Sequence, residues 1–189
     1  MRLTTCIAYA PASNDMNIGA EYNRLIADSG TEWVCFLDHD AMWLRQDWMH
    51  HIVRAIESLP NLGLLTCQTN RIGQPAQLWQ GRDLWDCHDI AHLRRQAKSL
   101  DYSTRMLTDD QLTSGVVMVT SKTAHARAGG FHDGFLGVDN NYHERIQAAG
   151  METHLLMSQP VYHWYRGDKD FTHLRRSRTR HGIVLPGSA

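Results

Sequence analysis

The chain has 189 residues, 42% of them hydrophobic and 21% charged, with a formal net charge of −1. That length can bury a real core as one domain, and the balanced charge argues against the basic footprint of a nucleic-acid or membrane-surface protein. No run approaches the roughly 20 apolar residues that a membrane span needs, and the mixed stretch from Met1 to Ala10 is too short for a signal peptide.

Taken in chain order, the pattern alternates strand and helix. Thr4 to Ala10 reads as a strand and Pro11 to Asp15 as a turn. Ile18 to Ala27 reads as a helix closed by Ser29-Gly30, and Val34 to Leu37 as the second strand. Asp47 is placed to cap a helix whose apolar positions Trp48, Ile52, Ile56 and Leu59 recur at helical spacing, and Pro60 ends it. Leu62 to Cys67 is a third strand. The stretch from Gln68 to Thr113 is irregular apart from an amphipathic helix around Ile90, Leu93, Ala97 and Leu100. Ser114-Gly115 then leads into a strand from Val116 to Thr120, followed by helices from Lys122 to Ala128 and from Asn140 to Ala149, closed by Gly129-Gly130 and Gly150. His154 to Met157 and Val161 to His163 read as short strands, and the chain from Tyr165 onward is basic with little apolar pattern. Such alternation predicts an α/β fold with a mostly parallel sheet flanked by helices in a single compact domain, residues 1–165, and a basic tail, 166–189. Cys6, Cys35, Cys67 and Cys87 form no Cys-x-x-Cys pair, so neither a zinc site nor a disulfide framework is indicated, and reduced thiols in a cytoplasmic protein are expected.

The segment Trp33-Val34-Cys35-Phe36-Leu37-Asp38-His39-Asp40 carries the most chemistry. A buried strand that stops in Asp-x-Asp delivers hard oxygen ligands to the carboxyl edge of a sheet, where open α/β sheets bind ligands. Two nearby carboxylates repel each other, so a cleft that keeps both ionised calls for a cation. The plain alternative is a strand end followed by an Asp-rich turn. Since side chains alternate along a strand, His39 points away from the two acids and reads as structural.

Three segments stand in a telling order: Asn17-Ile18-Gly19-Ala20-Glu21-Tyr22-Asn23, then Asp38-His39-Asp40, then Gly129-Gly130-Phe131-His132-Asp133 through Val138-Asp139 and Arg145 to Gly150, followed by Val161-Tyr162-His163. In this order they resemble the family 2 glycosyltransferases of the GT-A fold, whose pattern is an Asn-rich helix start, a strand ending in Asp-x-Asp, Gly-Gly-Phe-Asp-Glu, a Glu-Asp pair six residues before a helical Arg, and a closing histidine. The resemblance covers roughly residues 1 to 165. It departs in three ways: the family's further helix and strand after the first strand are missing, Val138-Asp139 replaces the Glu-Asp pair, and Asn141 replaces the acid that follows. The Gln-x-x-Arg-Trp motif of processive synthases is also absent, which points to transfer of a single sugar.

The resemblance implies a Rossmann-like GT-A domain that moves a sugar from a nucleotide diphosphate sugar, with uridine as the expected base, to a hydroxyl of an unknown glycan, lipid or protein acceptor. It implies Mn²⁺ or Mg²⁺ held by Asp38, Asp40 and His163, and an imidazole ligand favours Mn²⁺. Tyr9, Asp15, Asn17, Asn23, Asp38 and Arg175 are the expected donor contacts, the last on a basic tail that could close over the diphosphate, touch an acidic acceptor, a lipid headgroup or nucleic acid, or serve only as a solubilising tail. Asp139 is the expected base of an inverting transfer, with Glu144 and Asp133 as weaker substitutes and a plain helix cap as the alternative. Trp79 and Trp85 could stack on an acceptor sugar or fill the core. Two other functions remain open: a non-catalytic sugar-nucleotide or carbohydrate binder on the same fold, and a haloacid dehalogenase-type phosphohydrolase, disfavoured because Met42 stands where that family has Thr or Val.

Overall fold

A computed structural model describes residues 1–11, 16–80, 84 and 87–165. The order of elements is β1 (Leu3–Cys6), α1 (Ile18–Asp28), β2 (Trp33–Leu37), β3 (Ala41–Trp43), α2 (Trp48–Ser58), β4 (Leu62–Thr69), a 3₁₀ turn (Pro75–Gln77), α3 (Ile90–Lys98), β5 (Thr104–Met106), β6 (Val117–Ser121), α4 (Lys122–Ala128), α5 (Val138–Ala148) and β7 (Glu152–His163). Seven strands form one sheet in the order β1-β2-β6-β4-β7-β3, with β5 also paired to β7.

The sheet is mixed, which corrects the expectation of a mostly parallel one. Only β1–β2 and β4–β7 run parallel, while β2–β6, β4–β6, β3–β7 and β5–β7 run antiparallel. The central strands are apolar on both faces, and such a run looks the same whichever way its neighbour points. All eight residues of β4 are buried, and so are all five of β6.

Alternation within the strands sorts their side chains into two cores. Val34, Phe36, Leu64 and Met118 face α1, α4 and α5, where Tyr22, Ile26, Ala124, Tyr142 and Ile146 complete the layer. Cys35, Leu65, Cys67, Val117 and Val119 face α2 through Ile52 and Ala55. Burying one such side chain contributes about 1.5–3 kcal/mol. A third cluster, Leu44, Trp79, Leu84, Leu93 and Ala97, seats α3 beside the sheet. Trp79 is therefore a core residue, 2% exposed, and not a stacking platform. Trp85 lies outside the described residues.

Two departures from the sequence reading have local causes. The two short strands expected near the end are one strand, β7, whose register against β4 shifts between Leu156 and Val161. That irregularity accommodates Pro160, which has no N–H to give to a ladder. Asp47 does precede α2, but its side chain accepts no capping hydrogen bond from the helix amides. Its carboxylate instead accepts two bonds from Arg45, at 2.9 and 2.7 Å, and lies 3.3 Å from His51 Nε2. All four cysteines are free thiols. No helix among the described residues is long and apolar enough to cross a membrane.

The loop between α4 and α5 is fastened to α1. Asn17 Oδ1 accepts the amides of Ala20 and Gly134, each at 2.9 Å. Asn23 closes a two-way clasp on Phe131, accepting its N–H and donating to its carbonyl at 2.9 Å each. Gly19 has to be glycine because the His132 carbonyl occupies the place a Cβ would take. Gly19→Ala should therefore lower stability by about 3 kcal/mol through overpacking, read as an earlier urea midpoint. Gly30→Ala, with nothing within 4 Å of the added carbon, is the matched control and should be neutral.

Candidate metal and donor site

The Asp-x-Asp segment is a tight turn between two strands. The Asp38 N–H donates to the Val116 carbonyl at 3.0 Å, and the Ala41 N–H donates back to the Asp38 carbonyl at 3.1 Å. The chain then enters β3, where Ala41 pairs with His163, the last residue of β7. The Trp164 N–H donates to the Asp40 carbonyl at 2.9 Å. Both ends of the turn are thus tied to different strands, and the carboxylates cannot swing apart freely.

His163 Nε2 lies 3.2 Å from Asp40 Oδ1 and 3.8 Å from Asp38 Oδ2. One ligand atom from each of these three residues lies within 4.8 Å of the other two. His163 is buried, while Asp38 and Asp40 keep partial access to water. Its Nδ1 is 2.9 Å from the Arg71 carbonyl. A carbonyl only accepts, so Nδ1 carries a proton and Nε2 is the ring nitrogen that faces the carboxylates. This outer contact is what orients a histidine for a metal. The His163 backbone is fixed as well, its N–H donating to Asn70 Oδ1 at 2.8 Å.

The two acids differ in their protonation. Burial pushes the Asp38 carboxyl up to about 6, helped by the charges of Asp40 and Asp139 and opposed by His163 and His39. With 37% of the side chain still exposed, the carboxyl sits just below the rim, where residual water limits the energy at stake. Burial also pushes Asp40 up, but its hydrogen bond and charge interaction with His163 outweigh it and hold Asp40 below the usual carboxylate range. Three hard or borderline ligands would suit Mn²⁺ or Mg²⁺ completed by water and phosphate oxygens.

Asp139 lies in the first turn of α5, but the N-cap is Gly137, in the left-handed conformation at φ 77°. Asp139 Oδ2 accepts the Gly115 N–H at 2.7 Å and Oδ1 accepts the Asn140 N–H at 2.9 Å. It thereby ties the start of α5 to the approach to β6. Burial raises its carboxyl, against the pull of these amides and of His132.

Of the expected donor contacts, Asn17 and Asn23 use their side chains on the 129–137 loop, as described above. Tyr9 lies past the end of β1 and is 73% exposed. Asp15, Arg175 and the whole tail are outside the described residues. Asn70 and Arg71 were not legible as parts of the site, because one contributes a buried amide and the other a main-chain carbonyl. The available signal was the polar run Gln68-Thr69-Asn70-Arg71 at the carboxyl end of an apolar strand.

No protein-family model matches this chain, and no curated protein matches it.

The Asp38 shift has a definite sign. Its folded value, about 6, lies above its ordinary value of 3.8. Between those values the folded, metal-free protein holds more protons than the unfolded chain, so its stability falls as pH rises through the window. Asp38→Asn should flatten the dependence of the urea midpoint between about pH 4 and 6. Added Mn²⁺ should restore wild-type stability above that window and lose its effect below it, where protons compete for the same oxygens.

Proposed function

We propose that this chain is a metal-dependent glycosyltransferase that moves one sugar from a nucleoside diphosphate sugar, with uridine as the base, to a hydroxyl acceptor. The observation that carries this reading is the aim of His163 Nε2, set by the Arg71 carbonyl, at the two carboxylates of an Asp-x-Asp turn on a sheet edge. Asp40 and His163 would hold the cation directly, and Asp38 would hold it through water or bind the donor ribose. The cation supplies Lewis-acid stabilisation of the negative charge that develops on the leaving diphosphate. Asp139, at the start of α5, would be the base that takes the acceptor proton in an inverting transfer. The order of motifs in the sequence supports the same reading.

One observation favours a second reading, a binder of sugar nucleotides without turnover. Both oxygens of Asp139 already accept backbone amides, as a purely structural carboxylate would. The two readings share a ligand and differ in chemistry.

Titration calorimetry of UDP separates them from a bare fold. UDP should bind in the presence of Mn²⁺ and weaken at least tenfold without it. Asp40→Ala should abolish the metal-dependent part. Equal binding with and without Mn²⁺, or an unaffected Asp40→Ala variant, would remove the proposed donor site. Metal-dependent binding without UDP release from any UDP-sugar would leave the binder.

A further inference from the structure

Strand direction gathers the ends of several elements on a single edge of the sheet. β1, β2, β4 and β7 run the same way, since β1–β2 and β4–β7 are parallel and β6 runs against both β2 and β4. The Asp38–Asp40 turn follows β2 and His163 ends β7, so this is the edge that carries the metal cluster. α1 and α5 begin at the same edge. The Gly19 N–H donates to the Gly134 carbonyl at 3.1 Å, which joins the start of α1 to the loop before α5. Asp139 Oδ2 accepts the Gly115 N–H at 2.7 Å, and the next residue, Val116, accepts the Asp38 N–H at 3.0 Å.

The same edge collects exposed apolar side chains. Among the described residues nine large hydrophobic side chains are exposed, and six of them border it: Ile7 and Tyr9 beyond β1, Met16 before α1, Phe135 and Leu136 before α5, and Trp164 after β7. Their exposure runs from 45% for Met16 to 73% for Tyr9. Main-chain bonds hold their surroundings in place. Ile7 follows Cys6, which pairs with Phe36, and so lies beside the end of the strand that leads into Asp38. Met16 and Phe135 adjoin Asn17 and Gly134, which are joined by the bond from the Gly134 N–H to Asn17 Oδ1 at 2.9 Å. The Trp164 N–H donates to the Asp40 carbonyl at 2.9 Å. Single exposed apolar side chains are ordinary, but their concentration around one edge marks a surface that meets something apolar.

Charge beside this edge identifies the partner's chemistry. The Tyr165 ring lies against His163, with centroids 5.1 Å apart, so the chain leaves the described residues next to the metal cluster. The sequence that follows, 166–181, holds six Lys or Arg against two Asp. The net charge of −1 is therefore the sum over a chain that keeps a block of positive charge together. Apolar side chains beside a basic block fit an anionic lipid surface, because the former enter the headgroup boundary and the latter is drawn to its negative potential. We propose that this edge of the sheet docks on an anionic lipid bilayer, with Phe135, Leu136 and the apolar side chains around them in the headgroup boundary and the basic sequence after Tyr165 supplying the electrostatic attraction. The docking surface stands without the transferase reading. Its consequence rests on that reading: the acceptor hydroxyl belongs to a lipid, presented at the edge that carries the metal cluster.

The test is co-sedimentation of the full chain, without nucleotide or metal, with sucrose-loaded vesicles of phosphatidylcholine alone or mixed two to one with phosphatidylglycerol. The wild type should bind the mixed vesicles about tenfold or more tightly than the neutral ones, and added salt should weaken that binding. Phe135→Ser combined with Leu136→Ser should weaken it about tenfold or more. Met49→Ser combined with Met106→Ser, of matching exposure but on α2 and β5, should stay within about twofold of wild type. Replacing Arg175, Arg176, Arg178 and Arg180 together by Gln should cost about tenfold or more on the mixed vesicles. If the double variant at 135 and 136 shifts the urea midpoint, Leu136→Ser alone carries the comparison. No binding to either vesicle, equal binding to both, or a Phe135→Ser, Leu136→Ser variant within twofold of wild type overturns the proposal. So does a wild-type dimer in sedimentation equilibrium that this variant dissociates, which would give the surface to a second copy of the chain. UDP binding with Mn²⁺, read by calorimetry on the same proteins, reports separately on the donor site. Vesicle binding lost with UDP binding intact sinks the docking alone, and the reverse sinks the transferase reading alone.

Discussion

Repulsion between two carboxylates one residue apart is the constraint around which this molecule is arranged. A flexible chain would relieve it by letting Asp38 and Asp40 turn apart. Here the turn is bonded to the approach to β6 at one end and to the end of β7 at the other, so the repulsion is retained. His163 is the structural answer, and its own orientation depends on a carbonyl at the end of β4. Three strands that are distant in sequence therefore converge on one point, and none of them could be displaced by a register step without losing it. A one-residue slip in β7 would turn His163 to the opposite face of the sheet.

A second constraint lies on the other side of the turn. The loop from Gly129 to Gly137 buries Phe131 against Tyr142 and Tyr22 but leaves Phe135 and Leu136 exposed, and α1 supplies further partners for its backbone. Asn17 and Asn23 satisfy backbone groups of the loop that would otherwise face a partly buried surface without partners, each at a cost of about 1–3 kcal/mol. The same bonds mean that these two asparagines have a structural task, whatever else they contact. Fixing the loop fixes the start of α5 and with it Asp139 and the His132–Asn141 pair. The surroundings of Asp139 are thus built from the first helix of the chain and its last third.

The sequence made the helices legible because their apolar positions recur at helical spacing and Gly or Pro closes most of them. α4 matches the expected bounds at both ends, and α1 differs by one residue at its end. Strand direction was not legible, since Val, Leu and Cys in a doubly covered strand carry no mark of parallel or antiparallel pairing. β3 and β5 were missed because three residues cannot display a period, yet β3 is the element that brings Asp40 to His163. Asp38, Asp40 and His163 could be named from motif order, and the structure brings them together. Asn70 and the Arg71 carbonyl could not be named, because main-chain groups and buried amides leave no pattern in a sequence.

The two acidic regions follow opposite electrostatic logic. Asp38 has its carboxyl raised by burial and by the charges of Asp40 and Asp139, against which His163 and His39 pull only in part, so it would gain from a cation. Asp139 is also raised by burial, but two amides and His132 already offset that charge. A divalent ion would therefore gain more at the turn than at the start of α5, even though both offer carboxylates. Exchanging the surroundings of the two acids, with their side chains unchanged, would exchange that preference, since environment and not residue type sets the difference.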